Sequence, residues 1–97
     1  MMTQASVDDI IAKAVSDSLR KNFGDSTARS IEFYFDSGLV SRNPKVYERM
    51  LRKTFKAGAD HMIVLIEQEI FRVSGAEAQE GLSLEQVVAA VKRAQAR

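Results

Sequence analysis

Apolar residues recur at helical spacing over nearly the whole of this chain, and very little interrupts them. In the first segment Val7, Ile10, Ile11, Ala14, Val15, Leu19 and Phe23 form one stripe, while Asp8, Asp9, Lys13, Asp17, Arg20 and Lys21 take the opposite face. Ser6 is placed to cap the start, with acids in the first turn matching the helix dipole, and Gly24 offers a left-handed exit. A pattern of this kind must bury one stripe per helix, which restricts the chain to a helical bundle.

The second segment, about 26–37, reads as a helix with Ala28, Ile31, Tyr34 and Phe35 on one stripe, capped by Asp25 or Ser26 and closed by Gly38. Its centre, Ile31 to Phe35, also has the alternation of a strand, but nothing nearby offers a hairpin partner, so helix is preferred. Gly38 to Asn43 reads as a loop whose Leu39 and Val40 tuck under the bundle. Asn43-Pro44 is a helix start, because an N-cap asparagine precedes a proline whose missing N–H costs nothing at the first position. The third helix is expected to reach about Ala57, and Gly58-Ala59 to form a tight junction.

The fourth helix, about 59–73, is apolar around more than half its circumference through Met62, Ile63, Leu65, Ile66, Ile70, Phe71 and Val73. That width marks the central helix. Residues 74–81 are small and polar, the most linker-like stretch. Ser83-Leu84-Glu85-Gln86 is a capping box, with Leu82 and Val87 as its hydrophobic staple. A fifth helix, about 84–96, carries a narrow stripe of Leu84, Val87, Val88 and Val91.

The expected architecture is all-α: a compact bundle of four main helices plus a C-terminal fifth helix, in one domain over 1–97, with the core bundle over about 6–73. The expected core is Ile11, Val15, Leu19, Phe23, Ile31, Phe35, Met50, Leu51, Phe55, Met62, Ile63, Ile66 and Ile70. With 97 residues, five glycines and one proline, there is little room for disorder or a many-turned β fold. The absence of cysteine excludes disulfides and thiolate metal sites and fits a cytoplasmic protein. The N-terminus lacks the basic region and apolar run of a signal peptide, and no apolar run approaches the length of a membrane span.

Residues 42–56 hold six basic side chains and one acid, a local charge of +5 in a chain whose total is +1. On a helix Lys45, Arg49, Arg52, Lys53 and Lys56 share one side, and Arg42 lies just before them. This ridge has three readings: a solvated face, a docking surface for an acidic protein, or a row of phosphate contacts. A total of +1 is weak for dedicated nucleic-acid binding. A helix-turn-helix reading puts Tyr34 where a small residue is needed and Pro44 inside the reading helix, so any DNA contact is expected at phosphates.

From Leu19 to Phe71 the pattern resembles the Nitrosopumilus output domain family, a small archaeal helical family. The matching features are Ile31-Glu32-Phe33-Tyr34-Phe35 with Gly38-Leu39, then Asn43-Pro44 and Tyr47 opening a helix. Leu51, Phe55-Lys56-Ala57-Gly58-Ala59 and the apolar helix from Met62 to Phe71 complete the likeness. The family usually has a second glycine in the Phe55-to-Ala59 region, where this chain has Lys56. The resemblance implies a signalling output or interaction role and carries over no catalytic residue.

His61, the single histidine, has only Asp60 as a nearby acid, and the two point in different directions on a helix. Glu67 and Glu69 face apart as well. No phosphate loop, dinucleotide fingerprint, nucleophile elbow or HExxH is present, so neither catalysis nor a cofactor is expected. Phe33, Tyr34 and Phe35 could stack on bases, but with Phe23, Phe55 and Phe71 available to meet them they read as core. The width of the fourth helix and the stripe of the fifth suggest a homodimer through Phe71, Val73, Val88 and Val91, against a competitor in which the fifth helix folds back on its own chain. The functional expectation is a non-enzymatic interaction module with a protein partner, and the alternative is a nucleic-acid-associated accessory protein.

Overall fold

Ser6 opens the chain's first helix by accepting the Asp9 N–H on its hydroxyl at 3.1 Å. In the computed structural model, which describes residues 6–95, six helices follow: α1 Val7–Phe23, α2 Asp25–Tyr34, α3 Leu39–Arg42, α4 Pro44–Phe55, α5 Gly58–Ser74 and α6 Leu84–Gln95. No strand occurs among the described residues, and no helix is long and apolar enough to cross a membrane. The all-α expectation holds, with six helices in place of four plus one.

The departures have local causes. α2 stops at Tyr34, three residues short of Ser37, because Phe35 is extended and the Ser37 hydroxyl donates to the Glu32 carboxylate at 2.7 Å, turning the chain early. Gly38 is therefore not a left-handed cap. It has a helical φ of −65° and leads into α3, a single turn where a loop was expected. Val40 and Ser41 of that turn are buried, and the Asn43 N–H closes it on the Leu39 carbonyl at 2.7 Å.

Asn43 and Pro44 start α4 as expected, with the Asn43 side chain accepting the Val46 N–H. α4 ends at Phe55 rather than Ala57 because Lys56 sits at φ 54°, ψ −124°, and is the only non-glycine with positive φ among the described residues. α5 begins one residue early, at Gly58, and ends on Gly75 in the left-handed conformation, whose N–H reaches the Phe71 carbonyl. The capping box of α6 forms in both directions: Gln86 N–H to the Ser83 hydroxyl at 3.2 Å and Ser83 N–H to the Gln86 side chain at 2.8 Å. Residue 96, the expected end of that helix, lies outside the described residues.

α5 is central and is flanked by α1, α4 and α6. α6 folds back across α5 and α4 of its own chain, and also touches α1 and α3. Lys92 ties it down further by donating to the Ser41 carbonyl at 2.7 Å. The α2 backbone, in contrast, runs close to α1 alone.

That arrangement corrects the expected core. Ile11, Val15, Leu19, Ile31, Leu51, Met62, Ile63, Ile66 and Ile70 are buried. Phe23, Phe35, Met50 and Phe55 are only half-buried, because they face the gap between α2 and α4. Tyr47, Val40, Phe71 and the α6 residues Leu84, Val87, Val88 and Val91 are buried in addition to the expected set.

Candidate interaction surface

α1 and α2 are joined through Gly24 alone, whose φ of 87° and ψ of 158° redirect the chain without a linker. α2 is thereby held beside α1, and Ala28 and Ile31 fill the contact. The side of α2 that faces α4 has no covering helix. It carries Thr27, Ser30, Ile31 and Tyr34, and across the gap α4 presents Met50, Thr54 and Phe55.

The space between them is an open cleft of about 630 Å³, floored by Ile31, Phe35 and Phe55. A smaller hollow of about 300 Å³ continues it past Phe23 and Met62 toward Gly58 and the exposed His61, sharing Thr27, Ile31 and Phe55 with the first. No lysine, arginine, aspartate or glutamate lines either part.

Tyr34 lines the cleft while 73% exposed, and the ring of Phe33, 81% exposed, meets it edge to face at a centroid distance of 5.1 Å. They are not core, which corrects the reading of the aromatic run. Of the three consecutive aromatics only Phe35 packs against the core, because α2 has one buried face and its last turn is the end of the helix.

Lys45, Arg49, Arg52 and Lys53 lie on α4, but Arg42 belongs to α3 and Lys56 lies past the end of α4, and the six charges are not equally free. Arg42 pairs with Asp36 at 3.1 Å. Arg52 pairs with Glu48 at 3.1 Å and with Asp60, and these hydrogen bonds raise its pKa. Lys45, Arg49, Lys53 and Lys56 are exposed, and none has an ion pair among the described residues. Two of the six candidate residues are thus compensated and four are not. None of the six lines the cleft; Lys45, Arg49 and Arg52 instead line a separate hollow with Glu48 and, from the start of α6, Ser83 and Glu85.

The residues proposed to mediate a dimer are mostly used within the chain. Phe71 on α5 and Val88 and Val91 on the folded-back α6 are buried, and Val73 alone stays on the surface at 39% exposure.

Sequence reasoning missed Glu67. It is nine-tenths buried, one of its carboxylate oxygens has no hydrogen-bond partner, and it lies beside a cavity of about 700 Å³ under residues 76–81. Burial, reinforced by the charge of Glu48 and opposed by Arg52, pushes its carboxyl up to about 7. The legible signal was its spacing four from both Ile63 and Phe71, an acid inside the apolar stripe of α5. Glu69, also buried, is satisfied by Arg72 and by Lys21 at 3.6 Å, and its pKa is lowered accordingly. Tyr47 is a second orphan: fully buried, its hydroxyl without a partner, and its pKa raised by burial and by the charges of Glu32 and Asp36. Among the described residues no three His, Asp or Glu side chains group as metal ligands would.

Comparison of the chain with protein-family models, with curated proteins and with solved structures returned no match.

Proposed function

We propose that this protein is a non-enzymatic interaction module, a signalling output domain or small regulatory subunit that works in the cytoplasm by binding a protein partner. The observation that carries the reading is Tyr34, largely exposed on the wall of an apolar cleft, with the still more exposed ring of Phe33 against it. A lone exposed apolar side chain needs no explanation, but two large rings joined to an apolar groove form the kind of patch that partners cover. Aromatic residues of this type dominate binding energy where they become buried. The resemblance of residues 19–71 to the Nitrosopumilus output domain family supports the same reading.

The test is a pull-down from lysate with the full chain and with a Phe33→Ala, Tyr34→Ala double variant. The parent recovers a stoichiometric protein partner, and the variant loses it while keeping its helical circular dichroism and melting temperature. Reproducible turnover of a small molecule, abolished by a point substitution in a cavity, would overturn the reading.

A second reading rests on Lys45, Arg49, Lys53 and Lys56, four exposed cations that form no ion pair among the described residues. It makes the protein a nucleic-acid-associated accessory that contacts phosphates. Binding of labelled single- and double-stranded DNA would then fall steeply with salt and depend little on sequence. Absence of binding at low salt removes it, and binding unchanged in an Arg49→Ala, Arg52→Ala, Lys53→Ala variant moves the site elsewhere.

A further inference from the structure

We propose that the cavity of about 700 Å³ between α5 and residues 76–81 binds a small organic cation, an ammonium group carried on an apolar body, with Glu67 as its counter-ion. The site shares no lining residue with the α2–α4 cleft, so the inference goes beyond the interaction-module reading and does not rest on it.

One wall of the cavity is a single stripe of α5. Val64, Glu67, Gln68 and Phe71 recur at three- and four-residue spacing, so their side chains leave the helix on the same side. The chain turns at Gly75, in the left-handed conformation, and the segment that follows adds Ala76 and Ala78 across from that stripe. The volume falls within the roughly 300–1,000 Å³ of small-molecule sites, which pair a mostly apolar lining with a few placed polar groups.

Glu67 is the group that selects the ligand. Its side chain is nine-tenths buried, its Oε2 has no hydrogen-bond partner, and no ion pair reaches it among the described residues. Burial of an acid on this helix does not by itself have that consequence. Glu69, buried two residues further on, is answered by Arg72 and by Lys21. A buried carboxylate without a partner is costly, and an ammonium brought to it supplies the missing half of the pair.

The surrounding charges favour the same sign. Glu80 adds a second acid to the lining, and Glu48 on α4 acts on Glu67 as a further negative charge. The one cation in the lining, Arg72, is held by Glu69. Arg52, which acts on Glu67 from α4, is held by Glu48 and Asp60. An anion would therefore meet two carboxylates, and a neutral ligand would leave Glu67 unanswered. A metal ion fits poorly, because no three His, Asp or Glu side chains group as ligands among the described residues. The side-chain carbonyls of Gln68 and Gln79 can accept the remaining N–H groups of a primary ammonium, while Val64, Phe71 and the two alanines face its apolar body.

The test uses three probes of one skeleton, 2-phenylethylamine, 2-phenylethanol and 3-phenylpropionate, titrated into the full 97-residue chain and followed by its backbone amide NMR spectrum. The amine is expected to shift amides within 64–72 and 76–81 with a dissociation constant of about 1 mM or below. The alcohol and the carboxylate bind at least about tenfold more weakly, the loss of one charge-assisted hydrogen bond. Glu67→Gln lowers the amine's affinity by at least about tenfold and brings it to the level of the alcohol. Ala78→Trp, at an exposed position of the overlying segment, blocks the amine by filling the cavity. Tyr34→Ala, in the α2–α4 cleft, leaves amine binding unchanged, and circular dichroism of each variant establishes that it is folded.

Equal affinity for amine and alcohol would overturn the proposal, as would amine binding indifferent to Glu67→Gln or to Ala78→Trp. Shifts confined to the α2–α4 cleft, or no shift within 64–72 and 76–81 at about 10 mM amine, would overturn it as well. If Glu67→Gln does not fold, the amine-to-alcohol ratio of the parent and the Ala78→Trp variant decide. None of these outcomes bears on the lysate pull-down, so the interaction-module reading stands or falls separately.

Discussion

The Glu48 side chain on α4 accepts a hydrogen bond from the backbone N–H of Leu84, the first residue of α6, at 3.1 Å. The contact joins residues 36 positions apart and gives a partner to one of the N–H groups that every helix leaves unpaired at its start. The other oxygen of Glu48 pairs with Arg52, which also reaches Asp60 on α5. One carboxylate thus fastens the C-terminal helix to the bundle. Glu48→Ala is expected to destabilise the protein by about 1–3 kcal/mol in urea unfolding. The first-turn amides of α6 should then exchange faster than those of α1. Glu48→Gln keeps an acceptor and costs less. Equal loss from both substitutions would mean that charge, rather than the hydrogen bond, holds α6.

Glu67 makes stability depend on pH. Its folded pKa is raised from 4.5 to about 7, so over that range the folded protein holds a proton that the unfolded chain has released. The stabilising contribution is complete below 4.5 and is lost as pH rises to about 7. The expected loss is about 1–3 kcal/mol. Glu67→Gln removes that fall and is more stable than the parent at alkaline pH. Urea titrations of both proteins from acid to alkaline pH check this, and parallel profiles would show that Glu67 ionises normally in the fold.

Lys56 occupies a backbone conformation, φ 54° and ψ −124°, that side chains with a Cβ rarely adopt. Lys56→Gly is expected to stabilise the protein by about 1 kcal/mol, the relief of strain exceeding the extra freedom gained by the unfolded chain. Thermal and urea unfolding measure it. A loss of stability would mean that the Lys56 side chain contributes more than its backbone costs.

The Tyr47 hydroxyl is buried and unpartnered among the described residues, so it carries a desolvation cost that nothing offsets. Tyr47→Phe keeps the ring and removes that cost. A gain of about 0.5–1 kcal/mol is expected in urea unfolding. A loss larger than about 1 kcal/mol would mean that the hydroxyl has a hydrogen-bond partner.

The periodic stripes of α1, α4, α5 and α6, their start signals at Ser6, Asn43-Pro44 and Ser83, and the basic face of α4 were all legible in the residues. Each depends on groups within about four positions of one another, and a helix expresses such spacing whatever surrounds it. Even there, boundaries moved where a single backbone angle decided them, as at Lys56, or where a side chain turned the chain early, as Ser37 does with Glu32. Which apolar stripes become covered is a different kind of question. Phe35 and Met50 look as apolar as Ile31 and Leu51, yet they border an open cleft because α2 lies close to α1 alone. The exposure of Phe33 and Tyr34, the neutralisation of Arg42 and Arg52, and the raised pKa of Glu67 follow from the same source. They depend on which segments, distant in the chain, approach one another. Burial and charge compensation are properties of the space between elements, and local sequence encodes only the elements.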